Sequence, residues 1–231
     1  MRKYRTLFID LDNTLFDFKR ASRMAFCETY ELLDYGRFFE SFEQYMEIYE
    51  PRNKELWALY DKGDIDKSEL NRLRYIHPLA AVGHPDEALA AQFCVEALAR
   101  IPYKNVLLPG ALDLLGYLYP RYEMFILSNG FTELQAQKMR TTGIDKYFKK
   151  IILSEDIGVN KPNPKIFEYA IKAANVEKSS SIMIGDAFET DILGAANIGL
   201  DQIFLNREAL TELPFAPTYN VANLLEIKSI L

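Results

Sequence analysis

The 231 residues predict an α/β protein: a doubly wound parallel sheet of Rossmann-like form with an all-helical insertion directly after the first strand. Three observations carry that expectation. Short apolar runs end abruptly in polar residues, these runs alternate with helical stretches from residue 106 onward, and Phe16 to Arg100 has helical spacing with no strand-like run. Alternation of strand and helix marks a parallel sheet covered on both faces.

Thr6-Leu7-Phe8-Ile9 stops at Asp10, the pattern of a strand buried on both faces whose carboxyl end opens to solvent. Lys19 to Leu33, Phe39 to Tyr60, Lys67 to Leu79 and Pro85 to Leu98 then read as four helices, broken near Gly36, Gly63 and Gly83. Their aromatic residues (Phe38, Phe39, Phe42, Tyr45, Tyr49, Trp57, Tyr60) are expected mostly in a core, with one or two facing a ligand. Beyond them, Met124-Phe125-Ile126-Leu127, Ile151-Ile152-Leu153, Ser181-Ile182-Met183-Ile184 and Gln202-Ile203-Phe204-Leu205 repeat the first strand's pattern. Helical stretches lie at Leu112 to Leu118, Thr132 to Thr142, Pro164 to Ala174 and Asp191 to Ile198. Residues 1–16 and 101–231 therefore form the expected α/β core, and 17–100 the expected helical cap.

Hydrophobic residues make up 49% of the chain, enough for a sizeable core. The formal charge of −6 argues against a nucleic acid polymer as partner, since neutralising many phosphates takes a basic face. A single small anion remains compatible, because one cation and one lysine can neutralise it locally. Cys27 and Cys94 are far apart and have no metal-ligand spacing, so both are expected as buried thiols in a reducing compartment. Asp10 and Asp12 interrupt the N-terminal apolar run before it reaches the length of a secretory core, and no run is long enough for a membrane span. The expected location is the cytoplasm.

Polar residues that could carry chemistry fall at the strand ends, where ligands bind in open α/β sheets. Asp10-Leu11-Asp12-Asn13-Thr14 follows the first strand, Ser128-Asn129 the second, Lys161-Pro162 comes after the third, and Gly185-Asp186 with Asp191 follows the fourth. Alone, each of these could be a solvated turn. As an ordered set they resemble the haloacid dehalogenase superfamily, whose motifs are a DxDxT nucleophile loop, a Ser or Thr after the next strand, a Lys, and a GDxxxxD acidic loop. The resemblance spans nearly the whole chain, with residues 17–100 in the place of the helical cap of one subclass. Ser128-Asn129-Gly130-Phe131-Thr132, Ser154-Glu155-Asp156-Ile157-Gly158 and Asp191-Ile192-Leu193-Gly194 are similar to the branch containing bacterial pyrimidine 5′-nucleotidases.

The resemblance implies a magnesium-dependent phosphomonoester hydrolase that passes through a phospho-aspartate, and the residue types suit that chemistry. Asp10 is the expected nucleophile, and a phosphate dianion would repel it unless a cation intervened. Magnesium, the expected cofactor, takes carboxylate oxygens, here from Asp10 and Asp186, with the Asp12 main-chain carbonyl implied as a further ligand. Asp12 is the expected acid for the leaving oxygen and then the base for water. Lys161, the Ser128 hydroxyl and the Asn129 backbone N–H are expected on the phosphoryl oxygens. Asp191 is read either as orienting Lys161 or a metal-bound water, or as a helix N-terminal carboxylate favoured by the dipole. Glu155, Asp156 and Glu189 read as loop acids, and His77 and His84 have no partner in sequence.

The expected partner is a small phosphorylated substrate, with pyrimidine nucleoside 5′-monophosphates favoured. Alternatives within the same core are a sugar-phosphate phosphatase, a phosphomutase, a dehalogenase (which would lack Asp12), and a phosphate-binding protein without turnover. Selectivity is expected from the cap and from an entrance near Phe16, Asp17 and Phe18.

Overall fold

The computed structural model describes residues 3–231. Six parallel strands form one sheet: β1 (Thr6–Ile9), β2 (Glu123–Ser128), β3 (Lys150–Leu153), β4 (Ser181–Gly185), β5 (Asp201–Leu205) and β6 (Tyr219–Val221), in the spatial order β3-β2-β1-β4-β5-β6. All four residues of β1 are buried, as its apolar composition requires between two neighbours. Its register places Ile9 beside Ile126 of β2 and Ile184 of β4, so Asp10, Ser128 and Gly185 leave the sheet at the same edge. The strand order reverses at β1 and β4, where an open α/β sheet forms its ligand crevice.

The helices, in chain order, are α1 (Phe18–Leu32), α2 (Phe42–Lys62), α3 (Lys67–Ala81), α4 (Glu87–Arg100), α5 (Ala111–Leu118), α6 (Thr132–Thr142), α7 (Pro164–Ala174) and α8 (Leu193–Asn197). Two compact units result. One comprises the chain up to Phe18 together with Asn105–Leu231, the other Lys19–Lys104. In the sheet unit, Phe8, Phe125 and Met183 pack with Ile166, Phe167 and Ala170 of α7. Each such large side chain contributes about 1.5–3 kcal/mol of transfer free energy.

Within the helical unit, Ser41, Asp66 and Asp86 cap α2, α3 and α4 by accepting from the backbone N–H of Gln44, Glu69 and Leu89. The Ser41 cap starts α2 three residues later than the apolar pattern suggests. Tyr35, Tyr45, Tyr75 and Phe93 are fully buried and Phe26 nearly so, with Phe26 edge-on to Tyr49 and Phe93 at 5.0 and 5.5 Å. Of the aromatics singled out in the sequence, Phe39, Tyr45 and Tyr49 are core, while Phe38, Phe42, Trp57 and Tyr60 are half-buried. Cys27 and Cys94 are free thiols, half-buried rather than enclosed. Among the described residues, no helix is long and apolar enough to cross a membrane.

Two elements depart from expectation. The expected helix from Asp191 to Ile198 is present as α8, but its first residues belong to a wider π-helical turn, Phe188–Ile192, that begins earlier. The reason is local: the Asp191 side chain folds back to accept from the Ala187 N–H at 3.2 Å. The edge strand β6 is not foreshadowed at all, since its three residues include the exposed Asn220 and form no apolar run.

Candidate active site

β1 delivers Asp10 and Asp12, and the loop after them is tied to β4. Thr14 is fully buried; its hydroxyl donates to Asp186 Oδ1 at 2.9 Å and accepts from the Asp186 N–H at 3.1 Å. This reciprocal pair fixes the first acidic loop against the second. Asn13 makes the turn possible by taking a left-handed backbone (φ 60°), a region asparagine tolerates better than most residues.

Lys161 lies at the centre. Its ammonium group donates to Asp10 Oδ1 at 2.7 Å, Asp191 Oδ1 at 2.6 Å and the Leu127 carbonyl at 2.8 Å, using all three hydrogens. Burial pulls its pKa down, but the carboxylates of Asp10 and Asp191 outweigh that and hold it above the ordinary lysine value. The backbone of Lys161 is positioned by Asn129, whose side-chain oxygen accepts from the Lys161 N–H at 2.8 Å and whose amide donates to the Lys161 carbonyl at 3.0 Å. The Lys161-Pro162 peptide bond is cis.

Carboxylate oxygens of Asp10, Asp186 and Asp191 all lie within 4.8 Å of one another. Burial pushes Asp10 well above the ordinary carboxylate range; Lys161 pulls it back, while Asp191 and Asp186 push it further up. Burial and the neighbouring Asp191 push Asp186 up to about 6, against the Thr14 hydroxyl and Lys161. One lysine does not balance these three acids. Their hard oxygen ligands and surplus negative charge fit a divalent cation such as magnesium. Asp191 spends both oxygens on protein donors, Lys161 and the Ala187 N–H. It can lie so close because residue 185 is glycine: a Cβ there would come within 2.1 Å of Asp191 Oδ2 and 2.6 Å of its Cβ.

Asp12 lies apart from that cluster. Its two oxygens accept from Lys138 Nζ at 2.8 and 2.9 Å, and Oδ2 also accepts from Gln135 Nε2 at 3.0 Å. Gln135 Nε2 reaches the Ser128 hydroxyl as well, at 2.7 Å, and that oxygen further accepts from the Gly130 N–H at 3.1 Å. With two donors aimed at it, the Ser128 oxygen must direct its own proton elsewhere.

The structure thus brings together Asp10, Asn129, Lys161, Asp186 and Asp191, and it sets Asp12 on a second set of partners that it shares with Ser128 through Gln135. Sequence reasoning missed Gln135 and Lys138. The available signal was periodicity: Lys138 is four residues from both Leu134 and Thr142, which are buried, so it is a lysine on the inner line of α6. Glu155 caps α6 by accepting from the Thr132 N–H and hydroxyl, both at 2.7 Å, and Asp156 accepts from the Leu153 N–H at 3.0 Å. Phe16, expected at an entrance, is fully buried, pairing in backbone bridges with Asp12 and Leu107.

Comparison with known proteins gives a consistent answer. The chain is 35% identical to the pyrimidine 5′-nucleotidase YjjG of Escherichia coli, covering 99% of this chain and 98% of that one. It is 32% identical to the pyrimidine 5′-nucleotidase PynA of Streptococcus pneumoniae, over 94% and 91% of the two chains. Among solved structures, the magnesium-bound HAD-hydrolase YfnB of Bacillus subtilis superposes with a TM-score of 0.88 at 27% identity, over 99% of both chains. Residues 4–199 match the haloacid dehalogenase-like hydrolases, and the chain belongs to that family.

Proposed function

We propose that the protein is a magnesium-dependent phosphomonoesterase that acts through a phosphorylated Asp10, with pyrimidine nucleoside 5′-monophosphates as its preferred substrates. The observation that carries this reading is the pair of carboxylates after β1 with opposite surroundings: Asp10 buried against Lys161 beside two further acids, Asp12 apart from them and held by Gln135 and Lys138 of α6. Two carboxyl groups held in different environments can take different roles in one reaction.

Asp10 attacks phosphorus, forming an Asp10–O–P bond as the bond from phosphorus to the ester oxygen breaks. Asp12 gives its proton to that oxygen. A water molecule then attacks phosphorus and passes a proton to Asp12, and the Asp10–O–P bond breaks to release orthophosphate, restoring both carboxyl groups. Lys161 and the Ser128 hydroxyl stabilise the phosphoryl oxygens, and Asn129 sets Lys161 in place through its backbone while its own N–H faces the same oxygens. Asp10 and Asp186, with the Asp12 main-chain carbonyl that the family resemblance implies, would hold the magnesium ion, and Asp191, with both oxygens engaged, positions Lys161. When bound, the ion supplies the positive charge that lets a carboxylate approach a phosphate dianion.

The full-length similarity to two pyrimidine 5′-nucleotidases supports the substrate, and the aromatic-rich helical unit suits a base, which stacks on an aromatic ring for roughly 1–3 kcal/mol. Orthophosphate release from a pyrimidine nucleotide, a purine nucleotide, a hexose phosphate and phosphoglycolate, each read as kcat/KM, tests this directly. The pyrimidine nucleotide is expected to lead. A sugar phosphate in the lead would refute the nucleotidase reading and leave the phosphatase chemistry standing. Chelation should abolish release and magnesium restore it; turnover undiminished in chelator, or halide release from a haloacid, would overturn the phosphatase itself.

A further inference from the structure

We infer that Gln135 and Lys138 of α6 are positioning residues for Asp12, fixing the direction from which it handles both proton transfers. The inference rests on the phosphatase reading above and adds to it two residues outside its motifs. Lys138 is an ammonium group on a side chain only 2% exposed, with its charge 5.4 Å from the Phe16 ring centre and 4.6 Å from that of Phe18. A lysine is rarely enclosed unless a partner compensates the lost hydration. That partner is Asp12, gripped at both oxygens. Gln135 is fully buried and three residues earlier, so the two side chains leave the same face of α6.

The orientation of the Gln135 amide is dictated by its neighbours. Turned the other way, its carbonyl would face a carboxylate. As placed, Nε2 bridges Asp12 and Ser128, while Oε1 is buried with no hydrogen-bond partner among the described residues. A buried acceptor left unsatisfied is a cost that packing alone does not repay. What it secures is a link between the residue that moves the proton and the hydroxyl expected on the phosphoryl group. Gly130 makes room for this link, since a Cβ there would fall 2.0 Å from Gln135 Nε2 and 2.5 Å from Cδ. A free Asp12 side chain would sample several rotamers, whereas both proton transfers require it on the same side of phosphorus.

The test uses two esters: an alkyl phosphate, whose leaving oxygen needs a proton, and dinitrophenyl phosphate, whose phenolate leaves without one. Lys138→Met should lower kcat/KM for the alkyl ester on the order of tenfold or more, part of the effect of general acid catalysis, and leave the dinitrophenyl ester far less affected. Gly130→Ala, which removes no charge and displaces only the flexible end of Gln135, should show the same asymmetry. In an Asp12→Ala background, Lys138→Met should add no further loss, because residues acting through one group are not additive. Equal losses on both esters, or an additive double variant, would make the clamp merely structural and overturn the inference. A raised KM with unchanged kcat would do so too, by placing Lys138 on the substrate. Wild-type protein that releases no phosphate would instead refute the phosphatase reading. A wild type and Asp12→Ala that behave as expected, with a silent Lys138→Met, would refute the clamp alone.

Discussion

In the sheet unit, two hydrogen-bonded networks are buried, Lys161 with Asp10 and Asp191, and Gln135 and Lys138 with Asp12 and Ser128; in the helical unit, the enclosed space is filled by Phe26, Tyr35, Tyr45, Tyr75 and Phe93. The first arrangement depends on direction, since each donor has a specific acceptor and a missing member leaves another buried group unpaired. The second depends on volume and ring geometry, and tolerates exchange among apolar side chains of similar size. Removing one polar atom should therefore cost more in the sheet unit than in the helical unit.

The largest expected effect is that of Asp10→Asn, which keeps the shape and removes the nucleophile. Turnover should fall by about a thousandfold or more, the scale seen when a nucleophile is lost, and acid-quenched protein should carry no labelled phosphate. Activity within about tenfold of wild type would break the comparison at its centre, because that figure is less than general acid–base assistance alone supplies. Next comes Lys161→Ala against Ser128→Ala. The lysine variant removes a charge that faces Asp10 and Asp191, the serine variant one neutral hydroxyl, so the lysine loss should be the greater in kcat. The reverse order would mean that Lys161 serves the fold more than the phosphoryl group.

Gly185→Ala is a smaller perturbation of the same network. The added methyl group would overlap the whole Asp191 side chain, from Oδ2 at 2.1 Å to Cβ at 2.6 Å, so Asp191 must leave the position from which it holds Lys161. A loss of about tenfold to a hundredfold in kcat is expected, the usual consequence of disturbing a residue that orients a catalytic group. A fully active variant would show that Asp191 is not needed to hold Lys161.

These contrasts also explain what could be read from the sequence. The strands β1 to β5 were legible because buried parallel strands are continuous apolar runs, and the polar residues at their ends follow from where such runs stop. Asp10, Ser128, Lys161 and Asp186 stand out for that reason. Gln135 and Lys138 do not, because their significance lies in a contact with Asp12 across 123 and 126 residues of chain. Spacing within α6 marks Lys138 as an anomaly but cannot name its partner. The wide turn at Phe188–Ile192 was equally hidden, since the bond from the Ala187 N–H to the Asp191 carboxylate is a contact that helical spacing does not reveal. β6 is a three-residue edge strand, too short for periodicity to register.

The smallest effects sharpen the comparison most, since they concern one hydroxyl group in each unit. Thr14 Oγ1 both donates to and accepts from Asp186, so Thr14→Val strands an N–H and a carboxylate oxygen. Stability should fall by about 1–3 kcal/mol, the cost of leaving such groups unsatisfied. The hydroxyl of Tyr45 is also buried, but among the described residues it has no hydrogen-bond partner, and burial holds its pKa well above the ordinary tyrosine value. Its ring, stacked on Tyr49 at 5.9 Å and tilted against Phe93 at 5.1 Å, accounts for its place in the core. Tyr45→Phe keeps that ring and removes only the unsatisfied group, so stability should be unchanged or rise by up to about 1 kcal/mol. Denaturant unfolding of the two variants, followed separately for each unit by hydrogen exchange, gives the comparison. A loss on Tyr45→Phe as large as that on Thr14→Val would show that the Tyr45 hydroxyl is bonded after all, and that the helical unit is organised by direction as well as by volume.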